Sequence, residues 1–411
     1  MLYLWVSMVV VMNRDIFQLK REVLAELQHN ILPFWMERMC DNEHGGFLGA
    51  IDGNGNVRKN EPKGAILNAR ILWTFAAAYR LLGDPRYLEI ATRAKNEITD
   101  RFRDSQFGGI YWSLDSEGRP LDTKKQFYAL GFAVYGLSEY YRATGDDEAL
   151  TVAKALFRDI EDHSFDRLKN GYIEACTRDW QEIADMRLSD KDANERKTMN
   201  THLHILEGYT ALYRVWKDAE LAEALRNLIA IFTDKITDRA TGHLQLFFDD
   251  DWNSRSAMVS YGHDIEASWL LSEAAEVLGD ETVIEKTAAV CARIAAAAAE
   301  GFLPHNGMIY DADCASGSVD ADRHWWVQAE TVVGFFNQYS EWGDETSLEK
   351  ALDCWEFIKA HIIDRQNGEW LWSLRADGSQ NRTDDKAGFW KCPYHNGRMC
   401  LELADRIFNN F

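Results

Sequence analysis

Stretches such as ILWTFAAAY (71–79), LGFAVYGL (130–137) and VVGFFNQY (332–339) are apolar on several faces, whereas the helical segments between them keep a polar side. This predicts two classes of helix, one buried all round and one amphipathic and solvent-facing. The amphipathic helices begin near Asp15, Pro85, Asp147, Asp218, Glu281 and Glu345. The buried ones begin near Ala65, Phe127, Thr201, His263, Trp325 and Pro393. Gly-Asp dipeptides at Gly83-Asp84, Gly145-Asp146, Gly279-Asp280 and Gly343-Asp344 separate a buried helix from the next amphipathic one, with Lys217-Asp218 at the missing mark. Glycine can end the first helix in a left-handed cap, and aspartate can accept from the free N–H groups of the second. A second series, Gly45-Gly46, Gly108-Gly109, Gly171, Gly242, Gly307 and Gly368, precedes short extended segments such as IYWSLD and LWSLRADG. One unit of amphipathic helix, glycine turn, extended loop and buried helix thus recurs six times, at a period of about 60–70 residues. The expected fold is all-α, an (α/α)6 barrel of six helical hairpins with short strands in loops gathered at one end, where a ligand pocket would lie.

Residues 13–411 read as one catalytic domain. The leading MLYLWVSMVVVM (1–12) is apolar, too short to span a bilayer, and lacks the basic start and small-residue cleavage site of a secretion signal. It is expected to stand outside the fold, with Met12 as the initiator. A net charge of −21 argues against nucleic acid and anionic membranes as partners and favours a neutral or cationic ligand. Cys40, Cys176, Cys291, Cys314, Cys354, Cys392 and Cys400 are odd in number and form no C-x-x-C pair. They read as reduced thiols of a cytoplasmic enzyme.

Side chains capable of chemistry concentrate at the starts of the buried helices. NTHLHILE supplies His202, His204 and Glu207, and GHDIEASW supplies His263 and Glu266. HWWVQAE supplies His324, Trp325, Trp326 and Glu330, and WKCPYHNGR supplies Trp390, His395 and Arg398. Arg70 and Tyr128 come from earlier helices. A single buried-helix histidine is more often a hydrogen-bonded core residue, and the 15 tryptophans are mainly filler. Convergence of histidines from several helices on one rim is what calls for chemistry. His204-x-x-Glu207 and His263-x-x-Glu266 could imitate a dinuclear metal site, but carboxylate-bridged di-iron bundles use the reverse Glu-x-x-His order and two further glutamates. No metal or other cofactor is therefore expected. A glycoside hydrolase would need two opposed carboxylates where this rim is dominated by histidines. A non-catalytic sugar-binding protein would explain the tryptophans and not the histidines.

KTMNTHLHILEGYTALYR, SYGHDIEASWLL, RHWWVQAETVVGFFN and WKCPYHNGRMCLE resemble the signature stretches of the cellobiose 2-epimerases, within the N-acylglucosamine 2-epimerase superfamily. GAILNARILWTFAAAYR and GLSEYYRATGD fit as well, so the resemblance runs from about residue 15 to the end. It implies an (α/α)6 barrel that inverts C2 of the reducing-end sugar of β-1,4-linked disaccharides, cellobiose to glucosylmannose or lactose to epilactose. The implied route is ring opening followed by histidine-mediated proton transfer through an enediolate. By this resemblance His263 and His395 are the acid–base pair, and His204 assists ring opening. Glu266 orients His263 and raises its basicity, and Arg70 stabilises the enediolate. Tyr128, Trp326 and Trp390 surround the sugar, with Asp192 and Asn200 as polar contacts. A mannobiose 2-epimerase or an aldose–ketose isomerase on the same scaffold are the alternatives. The expected partner is a small disaccharide alone; oligomeric state stays open, with a monomer the default.

Overall fold

The computed structural model describes the backbone of residues 2–410 and the side chains of residues 14–408. The expectation that residues 1–12 stand apart falls on side chains outside the described residues. The inner helices are α3 (Ala65–Leu82), α5 (Phe127–Thr144), α7 (Met199–Val215), α9 (Tyr261–Leu278), α11 (Trp325–Trp342) and α13 (Tyr394–Asn410). The outer ones are α1 (Leu2–Glu26) with α2 (Leu32–Arg38), α4 (Pro85–Asn96), α6 (Asp147–His163), α8 (Ala219–Ile231), α10 (Glu281–Ala298) and α12 (Glu345–Phe357). Each inner helix packs on the next, and α13 returns to α3, so the inner ring closes. This is the (α/α)6 arrangement that the hydrophobic pattern predicts. None of the described helices is long and apolar enough to cross a membrane.

The Gly-Asp turns do what their chemistry allows. Gly83, Gly145, Gly279 and Gly343 are left-handed caps, and Asp84, Asp146, Asp280 and Asp344 accept from backbone N–H groups of the following helix. At the irregular turn, α7 ends on an extended Trp216 and Asp218 caps α8 alone. At the opposite end, the extended residues entering each inner helix pair with the loop of the next hairpin. Lys63–Gly64 lies antiparallel to Ser113–Leu114, Lys125–Gln126 to Ala175–Cys176, Lys197–Thr198 to Phe247–Phe248, Met258–Ser260 to Asp311–Asp313, and Arg323–His324 to Ser373–Leu374. The loop 375–389, which carries no legible motif, supplies the closing link by pairing Ala387 with Ile51. A belt of short pairings therefore fixes where all six inner helices begin.

Buried ion pairs reinforce the belt, and the hydrophobic pattern gives no sign of them. Lys63, Lys125, Lys197 and Lys386 bind Asp41 (2.7 Å), Asp104 (3.0 Å), Asp166 (3.0 Å) and Asp364 (2.7 Å), each aspartate already capping its glycine turn. Close helix approach is set by glycine at two places that matter for the site. A Cβ on Gly208 would lie 2.5 Å from the Gly131 carbonyl oxygen, and one on Gly131 2.8 Å from that of His204, so α5 and α7 touch backbone to backbone. A Cβ on Gly262 would meet the Trp326 ring at 2.6 Å, so only glycine admits that indole beside α9.

Candidate active site

The belt delivers the polar side chains to one end because they all sit in the first turns of the inner helices. Arg70 comes from α3, Tyr128 from α5, Asn200 and His204 from α7, His263 and Glu266 from α9, Trp326 and Glu330 from α11, and His395 and Arg398 from α13. The Trp326 ring lies against two histidines, 4.8 Å from His263 and 5.5 Å from His395 by ring centroid. His204 packs against Tyr128 and Phe132 at 4.9 and 4.6 Å. His263 and His395 thus share one indole, and Arg70 is bonded to the tyrosine against which His204 packs.

Arg70 donates to the Tyr128 hydroxyl (2.8 Å) and the Trp390 carbonyl (3.3 Å), and its guanidinium lies over Phe132 and Tyr394. Among the described residues no carboxylate is hydrogen-bonded to it, and its Nε is buried without a partner. A fixed, uncompensated cation of this kind stabilises an anion that develops beside it. Asn200 turns a buried, unpartnered Oδ1 toward the same end of α7. Asp192 is bound within its own loop, accepting from the N–H and hydroxyl of Ser189 at 2.8 and 2.9 Å, and makes no hydrogen bond to the histidine group. His202 is a satisfied structural residue: Nδ1 meets the Thr198 carbonyl at 2.6 Å and Nε2 accepts from the Tyr172 N–H at 2.9 Å.

The supports of the histidines differ from the expected ones. Glu266 does not hold His263. Its Oε1 accepts from Arg398 at 2.5 Å, its Oε2 is buried without a partner, and the group on His263 Nδ1 is the hydroxyl of Ser260 at 2.8 Å. The i, i+3 spacing puts His263 and Glu266 on one face, but Arg398, reaching in from α13, takes the carboxylate. His395 has the carboxylate partner instead, with Nδ1 on Glu330 Oε1 at 2.7 Å and Glu266 Oε1 farther off at 3.9 Å. His204 Nδ1 meets Glu207 Oε2 at 3.0 Å.

Arg398 is completely buried and joins three carboxylates: Glu266, Glu330 at 2.7 Å, and Glu207, which also takes the Tyr394 hydroxyl. One cation among three carboxylates leaves surplus negative charge. Burial, and then Glu330, push Glu266 up to about 8, so it holds a proton at neutral pH. Burial alone would raise Glu330 too, but Arg398 and His395 hold it below the usual carboxylate range. Burial pushes His263 and His395 down to about 3, opposed at His395 by the direct Glu330 contact and at His263 only through space. Glu266, Glu330 and His395 bring donor atoms within 4.8 Å of one another, as a metal site would, but Arg398 already donates to one oxygen of each glutamate and the Trp269 indole N–H to the other oxygen of Glu330.

The Glu266 proton has a stability consequence. The folded state keeps it up to about pH 8, whereas an unfolded carboxyl releases it near 4.5. Between these values the folded state binds more protons, so stability falls as pH rises. Glu266→Gln keeps the acceptor for Arg398 and removes the titration, so its melting temperature should fall less than that of the wild type between pH 5 and 8.5. Parallel melting curves for the two proteins would refute a protonated Glu266.

The sequence pattern of the N-acylglucosamine 2-epimerase family matches residues 45–397. The chain belongs to that family. Within the N-acylglucosamine 2-epimerase family it is similar to the cellobiose 2-epimerase of Bacteroides fragilis, 65% identical over 385 residues that cover 94% of this chain and 98% of the relative. The cellobiose 2-epimerase of Ruminococcus albus is 41% identical over 94% of this chain and 98% of its own. Among solved structures, that of the cellobiose 2-epimerase from Bacillus thermoamylovorans superposes with a TM-score of 0.90 at 42% identity, covering 94% of this chain and 99% of that one. Of the groups that support the histidines, Ser260 is not among the candidate residues, and the motifs contain Glu330 and Arg398 without indicating what they hold. Helical spacing would have flagged each, since they lie three residues before His263, four after Trp326 and three after His395.

Proposed function

We propose that this member of the family inverts C2 of the reducing-end sugar of β-1,4-linked disaccharides such as cellobiose, as an isomerase acting by proton transfer. The observation that carries the reading is the pair His263 and His395 on α9 and α13, pressed against one indole at 4.8 and 5.5 Å by ring centroid. The 65% identical relative named cellobiose 2-epimerase supports the choice of substrate.

The chemistry follows from the substrate's acidity. A sugar C2–H is acidic only beside a carbonyl, so the ring must first open to the aldehyde. A neutral imidazole then removes the proton, leaving an enediolate whose charge Arg70 is placed to stabilise. Return of a proton to the other face inverts C2, and that needs an acid. His395 is assigned as the acid, because the carboxylate on its Nδ1 favours the imidazolium that must deliver the proton. His263, backed by a hydroxyl, serves as the base, and the roles exchange in the reverse direction. His204, held by Glu207 beside Tyr128, is assigned to ring opening. Residues 13–411 act as one catalytic unit, and the seven free cysteines support a reducing, cytoplasmic setting. The monomer is the expected working form.

Incubation with cellobiose, lactose, mannobiose and N-acetylglucosamine in turn, with products identified by NMR, tests the reading. Conversion of cellobiose to glucosylmannose is expected. Ketose as the sole product, or turnover of N-acetylglucosamine alone, overturns it.

A further inference from the structure

Ser260 is the N-cap of α9, where a serine hydroxyl ordinarily accepts from a backbone N–H of the first turn and contributes about 1 kcal/mol. Here it does not. Its side chain makes no capping bond and meets His263 Nδ1 at 2.8 Å, and Ser260 itself is only 6% exposed. Thr198, by contrast, at the same position of α7, caps its helix through Thr201 N–H. The serine of α9 is withdrawn from a local stabilising role and turned onto a ring whose Nε2 makes no hydrogen bond among the described residues.

We propose that Ser260 is the positioning residue of His263: its hydroxyl accepts the Nδ1–H, which fixes the tautomer with a bare Nε2 and leaves the ring without a charged partner. This rests on the epimerase reading and extends it to the division of labour between the two histidines. A hydroxyl can donate or accept, but shuttling a proton at Nε2 requires Nδ1 to keep its hydrogen in both states of the ring, so Ser260 accepts throughout. At His395 the equivalent atom meets a carboxylate that Arg398 and the Trp269 indole N–H also bind, so that partner stays ionised. Two otherwise similar imidazoles are thereby made unlike, a neutral support for the base and an anionic one for the acid. The other charged or titratable groups acting on His263 are Glu330 from α11, His204 from α7 and Arg70 from α3, none hydrogen-bonded to it. Among the described residues, Ser260 is thus the only hydrogen-bonding contact on His263, and so the one that specifies a tautomer.

The test uses the full-length protein and three variants, each checked for native circular dichroism and melting. Ser260→Ala should lower kcat by about 10–100-fold, the usual cost of losing a group that orients a functional histidine, with KM little changed. Ser260→Thr, which keeps the hydroxyl, should restore most of the rate. Ser260→Asp gives His263 the kind of partner His395 has, so its acid limb in kcat/KM should move to higher pH, because the base is protonated sooner. A Ser260→Ala enzyme as fast as wild type overturns the proposal, as does a Ser260→Asp enzyme with an unmoved acid limb; should the alanine variant not fold, the aspartate profile decides. Failure of the wild type to epimerise any disaccharide overturns the functional reading instead, so the two failures are told apart.

Discussion

Alanine at His263 or at His395 lowers kcat/KM for epimerisation by about 10²–10⁴-fold, the range for loss of a positioned general acid or base. The fold should survive both changes. His263 stands in the first turn of α9, partly exposed to the pocket, so truncation there leaves room for water in place of a core cavity. His395 is more buried, yet its removal leaves Glu330 still bound by Arg398 at 2.7 Å and by Trp269 at 3.1 Å. Each variant also keeps one of the two bases. In deuterium oxide it should therefore exchange the C2 hydrogen of one epimer without delivering the other, because the surviving histidine reaches only one face. Unaltered circular dichroism with retention of more than about a tenth of wild-type turnover in either variant would contradict a direct role in proton transfer. Exchange into both epimers at equal rates would contradict the assignment of one histidine to each face.

The parts of this molecule legible in sequence are those governed by residues close together in the chain. Gly83-Asp84 and its repeats announce a left-handed cap and an N-cap within two positions, and both form as read. Inner-helix starts read as Thr201 and His263 fall within two residues of the observed Met199 and Tyr261, because the apolar pattern changes there. The convergence of histidines follows once the hairpins are counted, since each inner helix enters from the same end. Contacts made across the barrel are not legible in this way. Glu266 lies one turn from His263, but its carboxylate goes to Arg398, which is 132 residues away in sequence. Which side chain arrives is settled by the packing of α9 on α11 and of α11 on α13. Ser260 has the residue type and position of an ordinary cap, and only in the folded barrel is its hydroxyl diverted to His263. The lysines ahead of the inner helices likewise look like surface charge until Asp41, Asp104, Asp166 and Asp364 are seen beneath them.

The largest loss of stability should come from Arg398→Met. The substitution keeps much of the buried volume and the apolar contact with Trp269 and Tyr394, over which the guanidinium now lies at 4.7 and 4.2 Å. What it removes is the one cation hydrogen-bonded to Glu207, Glu266 and Glu330 together. Breaking a buried pair from one side costs about 3–5 kcal/mol, because the remaining charge is left in a medium that cannot solvate it. Protonation offers the carboxylates an escape, which gives the loss a pH dependence of definite sign. Without the guanidinium, the carboxyl of Glu207, which burial already raises, should rise further, and that of Glu330 should rise above its unfolded value. The folded variant then binds more protons as pH falls, and its deficit relative to wild type shrinks toward acid pH. Urea denaturation at pH 5 and pH 8 should show a larger deficit at pH 8. Adding Glu207→Gln to Arg398→Met should recover part of the loss at pH 8, whereas the same change in the wild type should cost stability by removing a charged partner of Arg398. If the deficit is the same at both pH values and Glu207→Gln recovers nothing, the cluster is held by packing and its charge balance is not what the arginine supplies.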